Sequence, residues 1–202
     1  MVLPPHGRGW RIGLFGGSFN PPHAAHRAVS LLAMKRLRLD AVWWVVSPGN
    51  PLKDPRALQP LADRMAAARA VTRHPRIVVT DLEARIGTRF TLDTLRYLKR
   101  HAPGIRFVWI AGADVLSEFH HWRGWQNIFR LVPIAIVDRD GRGLTALASP
   151  AAQAMREFRL PERNAARLAA RRTPAWVFLH GLRSSLSSTV LRHKTGTRTV
   201  AS

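Results

Sequence analysis

The sequence predicts a single α/β domain, doubly wound around a parallel sheet, and three observations carry that expectation. Short apolar, β-branched or aromatic runs alternate with amphipathic helical patterns along most of the chain. The apolar runs are nearly continuous rather than alternating, as strands covered on both faces require. A length of 202 residues, 46% of them hydrophobic, is enough for one full core.

The elements are taken in chain order. Residues 1–10 hold prolines and glycines without periodicity and read as a loose tail. Residues 11–15 are the first strand. After a glycine- and proline-rich loop, 24–37 form a helix that sets Val29, Leu32, Ala33 and Leu37 near one face. Residues 41–47 are a second strand, 61–73 a helix, and 76–80 a third strand. A helix over 91–101 has Leu92, Leu95 and Leu98 as its buried edge, and 106–111, 133–137 and 175–179 complete the strands. Hydroxyl residues from Ser184 to Thr189 then lead into a short C-terminal helical segment. The pattern is a Rossmann-like domain over 11–194, with a second loose tail at 195–202 and no internal repeat. Arg156, Arg159, Arg163, Arg167, Arg171 and Arg172, spaced by one to four, suggest an arginine stripe on one helix, interrupted by Pro161. The plain reading of such a stripe is a solvated face.

Composition narrows the function classes. Without cysteine there is neither a disulfide framework nor a thiolate metal site, which fits a reducing compartment. The apolar runs are too short to span a bilayer, and the first ten residues lack a signal-peptide apolar region. The expectation is a cytoplasmic protein with no membrane partner. Lysine and arginine number 32 against 12 acids, a net charge of +20 that attracts polyanions: nucleic acid, a membrane surface or phosphorylated small molecules. The tryptophans argue against a nucleic-acid module, because Trp43, Trp44, Trp109 and Trp176 fall inside strand patterns and no nucleic-acid motif is present. Oligomeric state stays open, homo-oligomers included.

In an open parallel sheet, ligands bind beyond the carboxyl ends of the strands. The first such end reads GGSFNPPHAAH, residues 16–26. Gly16 and Gly17 can admit a close ligand, and Pro21 and Pro22 stiffen the turn. A helix beginning near Ala24 then points the positive end of its dipole at whatever the loop holds. His23 and His26, three apart, fall on one face at that N-terminus, beside the same anion. There they can donate hydrogen bonds to oxygens that gain charge during a displacement. Neither G-x-G-x-x-G nor a P-loop is present, and H-x-x-H with intervening alanines is not a zinc helix, so no metal held by side chains is expected. Near the other end, the run ending in Ser188, Thr189 and Arg192 offers an N-cap and a fixed positive fork for another phosphate.

These residues resemble a known family. A strand followed by G-G-[ST]-F-[DN]-P-x-H-x-x-H, with a later S-[ST]-x-x-[LIV]-R, looks like the nucleotidyltransferases of the HxGH class, most closely the bacterial nicotinate-nucleotide adenylyltransferases. The segments SPGNPLK (47–53), FTLDTL (90–95), GAD (112–114) with FHHW (119–122), and VDR (137–139) support the narrower match. The resemblance implies adenylyl transfer from ATP to nicotinate mononucleotide, with magnesium leaving on pyrophosphate and no covalent enzyme intermediate. It implies that His23 and His26 bind the ATP phosphates and transition state, beside the backbone of Gly16, Gly17, Ser18 and Phe19. Ser188, Thr189 and Arg192 would hold adenylate phosphates from the opposite side, and Lys53 would face the reacting phosphates. Gly112 and Asp114 would bind a nucleotide sugar, Thr91 and Trp122 would form the pyridine pocket, and Arg139 would take the substrate phosphate. Two of these residues keep structural alternatives: Asp114 as a helix cap and Trp122 as core. His120 and His121 read as surface or rim. Three positions depart from the family pattern: Ala25 stands where glycine is usual, Asn20 where aspartate is commoner, and Leu52 where many relatives have histidine. The runners-up are the amidated mononucleotide or another phosphate acceptor. Phosphopantetheine adenylyltransferases usually carry threonine at the His23 position, which argues against that acceptor.

Overall fold

A computed structural model describes residues 3–49, 58–138 and 143–181. Among these, seven strands form one parallel sheet: β1 (Arg11–Gly17), β2 (Ala41–Val46), β3 (Ile77–Thr80), β4 (Arg106–Gly112), β5 (Ile134–Val137), β6 (Arg159–Leu160) and β7 (Trp176–Leu179), in the order β3-β2-β1-β4-β5-β7-β6. The chain winds outward from β1 to β3 and returns to the other side of β1 with β4. The winding direction therefore reverses between β1 and β4, which is where a doubly wound sheet opens a crevice.

Eight α-helices are described: α1 (Ala24–Leu37), α2 (Leu61–Thr72), α3 (Leu82–Ile86), α4 (Thr91–His101), α5 (Ala113–Glu118), α6 (Trp125–Leu131), α7 (Gly143–Leu147) and α8 (Pro150–Ala154). Three 3-10 segments, Phe119–His121, Arg156–Phe158 and Glu162–Ala170, complete the set. Consecutive side chains of a strand point to opposite faces, and in β2 this sends neighbouring tryptophans into different cores. Trp43 enters the core formed with α3 to α8, whereas Trp44 enters the one formed with α1, α2 and the Glu162–Ala170 segment. All six residues of β2 are buried. That double coverage is why the strands read as unbroken apolar runs.

The six expected strands and three expected helices are present, with ends shifted by two residues or fewer. Four details differ. The buried face of α1 is Ala25, Val29, Ser30, Ala33, Met34 and Leu37, and Leu32 is only half-buried. Residues 3–10 are anchored to the domain at several points, although most of them, Trp10 included, stay exposed. Leu3 packs against it, Pro4 is buried, the His6 ring meets Trp43, and Gly9 N–H donates to Gly104 O at 2.8 Å. The six arginines between 156 and 172 are exposed but not on one helix, since Pro161 separates two 3-10 segments. Between those segments lies β6, two residues too short to carry a period, held as an edge by Arg159 over the rings of Trp176 and Phe178. The expected C-terminal helical segment and tail lie outside the described residues.

Candidate active site

Several of the residues that the sequence marks lie at the strand ends beside the crevice between β1 and β4. β1 ends at Gly17, and Ser18 to Pro22 turn the chain into α1. Phe19 sits at φ 46°, a left-handed conformation that side chains disfavour. Its ring compensates by burial, with 2% exposure, stacked on Trp44 at 4.6 Å and edge-on to Phe15. Asn20, also buried, accepts the Gln59 N–H at 3.4 Å, which ties the turn to the segment entering α2.

His23 is the N-cap of α1, with extended backbone, and His26 lies in its first turn; their ring centroids are 3.8 Å apart. The His23 backbone N–H donates to His26 Nδ1 at 3.2 Å. A backbone N–H can only donate, so Nδ1 is the acceptor and the neutral ring carries its proton on Nε2. The His26 ring is walled by Phe15, Phe19 and Trp44 at 5.0 to 5.9 Å. Trp44 Nε1 donates to Ser30 Oγ, which donates to His26 O, so the tryptophan also fixes the backbone of the turn that carries His26. One imidazole is thereby held in one orientation and one tautomer beside a helix N-terminus. That arrangement suits donation to a phosphate oxygen.

Gly16 also has a reason that the sequence does not show. Its φ is not in the left-handed region, and a Cβ there would lie 2.4 Å from Cη2 of Trp109. The glycine makes room for an indole beneath the loop. At Gly17 an added Cβ would make only ordinary contact with Phe19. Trp109 lies edge-on to Trp122 at 6.4 Å, and Trp122 stacks on Phe119 at 4.8 Å and 15°. One face of the half-buried Trp122 is thus occupied by Phe119. Thr91 opens α4, and two contacts bring the Trp122 segment to it: Arg123 lies over Phe90 at 4.6 Å, and Gly124, at φ 63°, is close to Leu92. Gly112 ends β4 and is the N-cap of α5. Asp114 is the second residue of that helix, exposed, so it is not the cap. Ala25, where the family has glycine, is 3% exposed. His120 and His121 lie side by side in the 3-10 segment before Trp122. Lys53, Arg139, Ser188, Thr189 and Arg192 lie outside the described residues.

Two residues at the site escaped the sequence. Arg64 of α2 is 1% exposed and donates to three backbone carbonyls: Ser18 O at 2.7 Å, Ser47 O at 2.8 Å and Gln59 O at 2.8 Å. Burial pushes its guanidinium down, but arginine starts so high that the cation persists. Glu83 of α3 is buried below the start of α4, where Thr94 Oγ1 lies 3.1 Å from its carboxyl and 2.9 Å from Thr88 Oγ1. Desolvation pushes Glu83 up to about 7, against the opposing Thr94 hydrogen bond. Neither carries a local signal: one reads as a surface arginine of an amphipathic helix, the other as a surface acid.

Comparisons with known proteins agree on one family. The model of the Cytidylyltransferase-like family matches residues 14–194. A "probable nicotinate-nucleotide adenylyltransferase" of a Bradyrhizobium species is 60% identical over 92% of this chain and 97% of its own length. One of the same description from Methylorubrum extorquens is 58% identical over 90% and 98%. Among solved structures, Plasmodium falciparum nicotinic acid mononucleotide adenylyltransferase complexed with NaAD aligns with a TM-score of 0.64 at 19% identity, covering 91% of this chain and 83% of that one.

Proposed function

This chain belongs to the cytidylyltransferase-like family, and on that premise we infer its reaction: transfer of the adenylyl group of ATP to nicotinate mononucleotide, giving nicotinate adenine dinucleotide and pyrophosphate. The mononucleotide phosphate oxygen attacks the α-phosphorus of ATP, and the bond to the bridging oxygen of pyrophosphate breaks. No protein nucleophile is needed, because such displacements depend on positioning and on stabilising charge. The observation that carries the reading is the His23 and His26 pair at the N-terminus of α1, on the crevice where the sheet reverses.

In this scheme His26 donates from Nε2 to the ATP phosphates, oriented by the His23 N–H at its other nitrogen, with His23 alongside and the Gly16 to Phe19 backbone lining the loop. Lys53, Ser188, Thr189 and Arg192 complete the phosphate contacts. Thr91 and the face of Trp122 away from Phe119 receive the pyridine ring, Gly112 and Asp114 a ribose, and Arg139 the acceptor phosphate. ATP would be used as its magnesium salt, the metal supplying charge neutralisation on the phosphates. The donor set suits that route, since among the described residues no three His, Asp or Glu side chains gather into a cage.

The test is release of pyrophosphate and formation of dinucleotide from Mg-ATP, with nicotinate mononucleotide and, separately, nicotinamide mononucleotide. Turnover with the acid and a clear preference over the amide are expected. Equal efficiency with both would remove the stated specificity, and no product with the acid would remove the reading.

A further inference from the structure

Arginine is almost never fully buried unless it is paired, yet Arg64 is 1% exposed and, among the described residues, no carboxylate forms an ion pair with it. Its partners are three backbone carbonyls from three separate segments: Ser18 in the loop after β1, Ser47 just after β2, and Gln59 before α2. Two of the three lie at the carboxyl ends of strands, on the side of the sheet that carries the site. Gln59 is held twice over, since its own N–H donates to Asn20 of the same loop. A planar guanidinium presents several donors in a fixed fork, which an ammonium on a flexible stem does not.

We propose that Arg64 is a positioning residue of the phosphate loop: its buried guanidinium clamps the Ser18 turn to the end of β2 and so sets the loop and the histidine pair in place for nucleotide phosphates. A burial without a counter-carboxylate is costly for stability alone. Here the unneutralised cation also leaves positive potential behind a loop that receives an anion. This inference rests on the adenylyl-transfer reading for its substrate and on the hydrogen bonds for its geometry.

The test uses the full chain with Arg64→Ala and Arg64→Lys, the second retaining charge if the first does not fold, and Arg69→Ala, an exposed arginine of the same helix, as control. A displaced loop should lower kcat/KM for ATP by about 100-fold in both Arg64 variants. KM for nicotinate mononucleotide should change by no more than about threefold, because the pyridine pocket lies on other elements. Ethylguanidinium should restore part of the activity of Arg64→Ala, where ethylammonium does not. Amide hydrogen exchange should accelerate at residues 16–19 and 47–49 and stay unchanged in α4 and β5. Exchange accelerated evenly through the sheet, with both substrates affected alike, would mean a stability residue and overturn the proposal. Wild-type exchange in the two loops, or wild-type kcat/KM for ATP, would overturn it too. Exchange needs no turnover, so it judges Arg64 even if the wild-type protein proves to use another acceptor, a result that would sink the proposed reaction on its own.

Discussion

Replacing Glu83 by glutamine should make the protein less sensitive to alkaline pH. The carboxyl is buried under α4, with its value raised from the ordinary 4.5 to about 7 by desolvation. A carboxyl with a raised value binds its proton more tightly when folded, so between 4.5 and 7 the native state holds more protons than the unfolded chain. Stability then falls as pH rises through that window, and the full penalty is present above 7. At about 1.36 kcal/mol for each tenfold change in proton concentration, the interval amounts to about 3 kcal/mol. Glutamine keeps the shape and can accept from Thr94 Oγ1 without ever ionising. The assay is denaturant unfolding of wild type and Glu83→Gln at pH 5, 6, 7 and 8. Other titrating groups cancel when the two curves are subtracted. The variant should gain on wild type by up to about 3 kcal/mol between pH 5 and pH 8, with most of the gain falling below pH 7. A difference that stays flat with pH would refute the reasoning.

The histidine pair should act mainly on turnover. His23→Ala and His26→Ala are each expected to lower kcat by about 100- to 1,000-fold with KM for ATP much less affected, because their hydrogen bonds strengthen as charge develops; steady-state kinetics with Mg-ATP would show otherwise if the loss fell on KM alone. Gly16→Ala should destabilise the fold by about 1–3 kcal/mol through the clash with Trp109. Combining it with Trp109→Leu should cost less than the two changes summed, and strict additivity in denaturant unfolding would contradict that contact. Trp122→Ala should raise KM for nicotinate mononucleotide by about fivefold while leaving KM for ATP near wild type, since a stacking contact contributes about 1 kcal/mol; equal effects on both substrates would place the indole in the core only.

Most of the architecture was legible because its strands are buried on both faces. AVWWVV has no polar interruption for a strand reading to stumble on, and the helices between such runs keep apolar residues on one side. Elements without a period left no trace. β6 is two residues of a strand edge, and the 3-10 segments around it are set by Pro161 rather than by a repeating face. At the site, the histidine pair was legible because its spacing is local. Arg64 was not, because its carbonyl partners stand 46, 17 and 5 residues away and carbonyls carry no residue identity. Gly16 was recognised as special for one reason and the structure adds another: a side chain there would meet an indole contributed 93 residues later by β4, a contact that no local pattern encodes.

That indole has a further consequence for how such a protein can diversify. Trp109 lies against Gly16 of the loop after β1 and, at its other end, edge-on to Trp122. The two halves of the site therefore rest on one slab anchored in the central strand. A mutation that trims Trp109 to change the surroundings of Trp122 also opens a void under the loop, and one that enlarges Gly16 pushes back on the indole. New acceptor preferences would be reached most readily through Thr91 and the outer face of Trp122, where substitutions leave the slab intact, whereas changes at Trp109 would have to be matched at Gly16 in the same step.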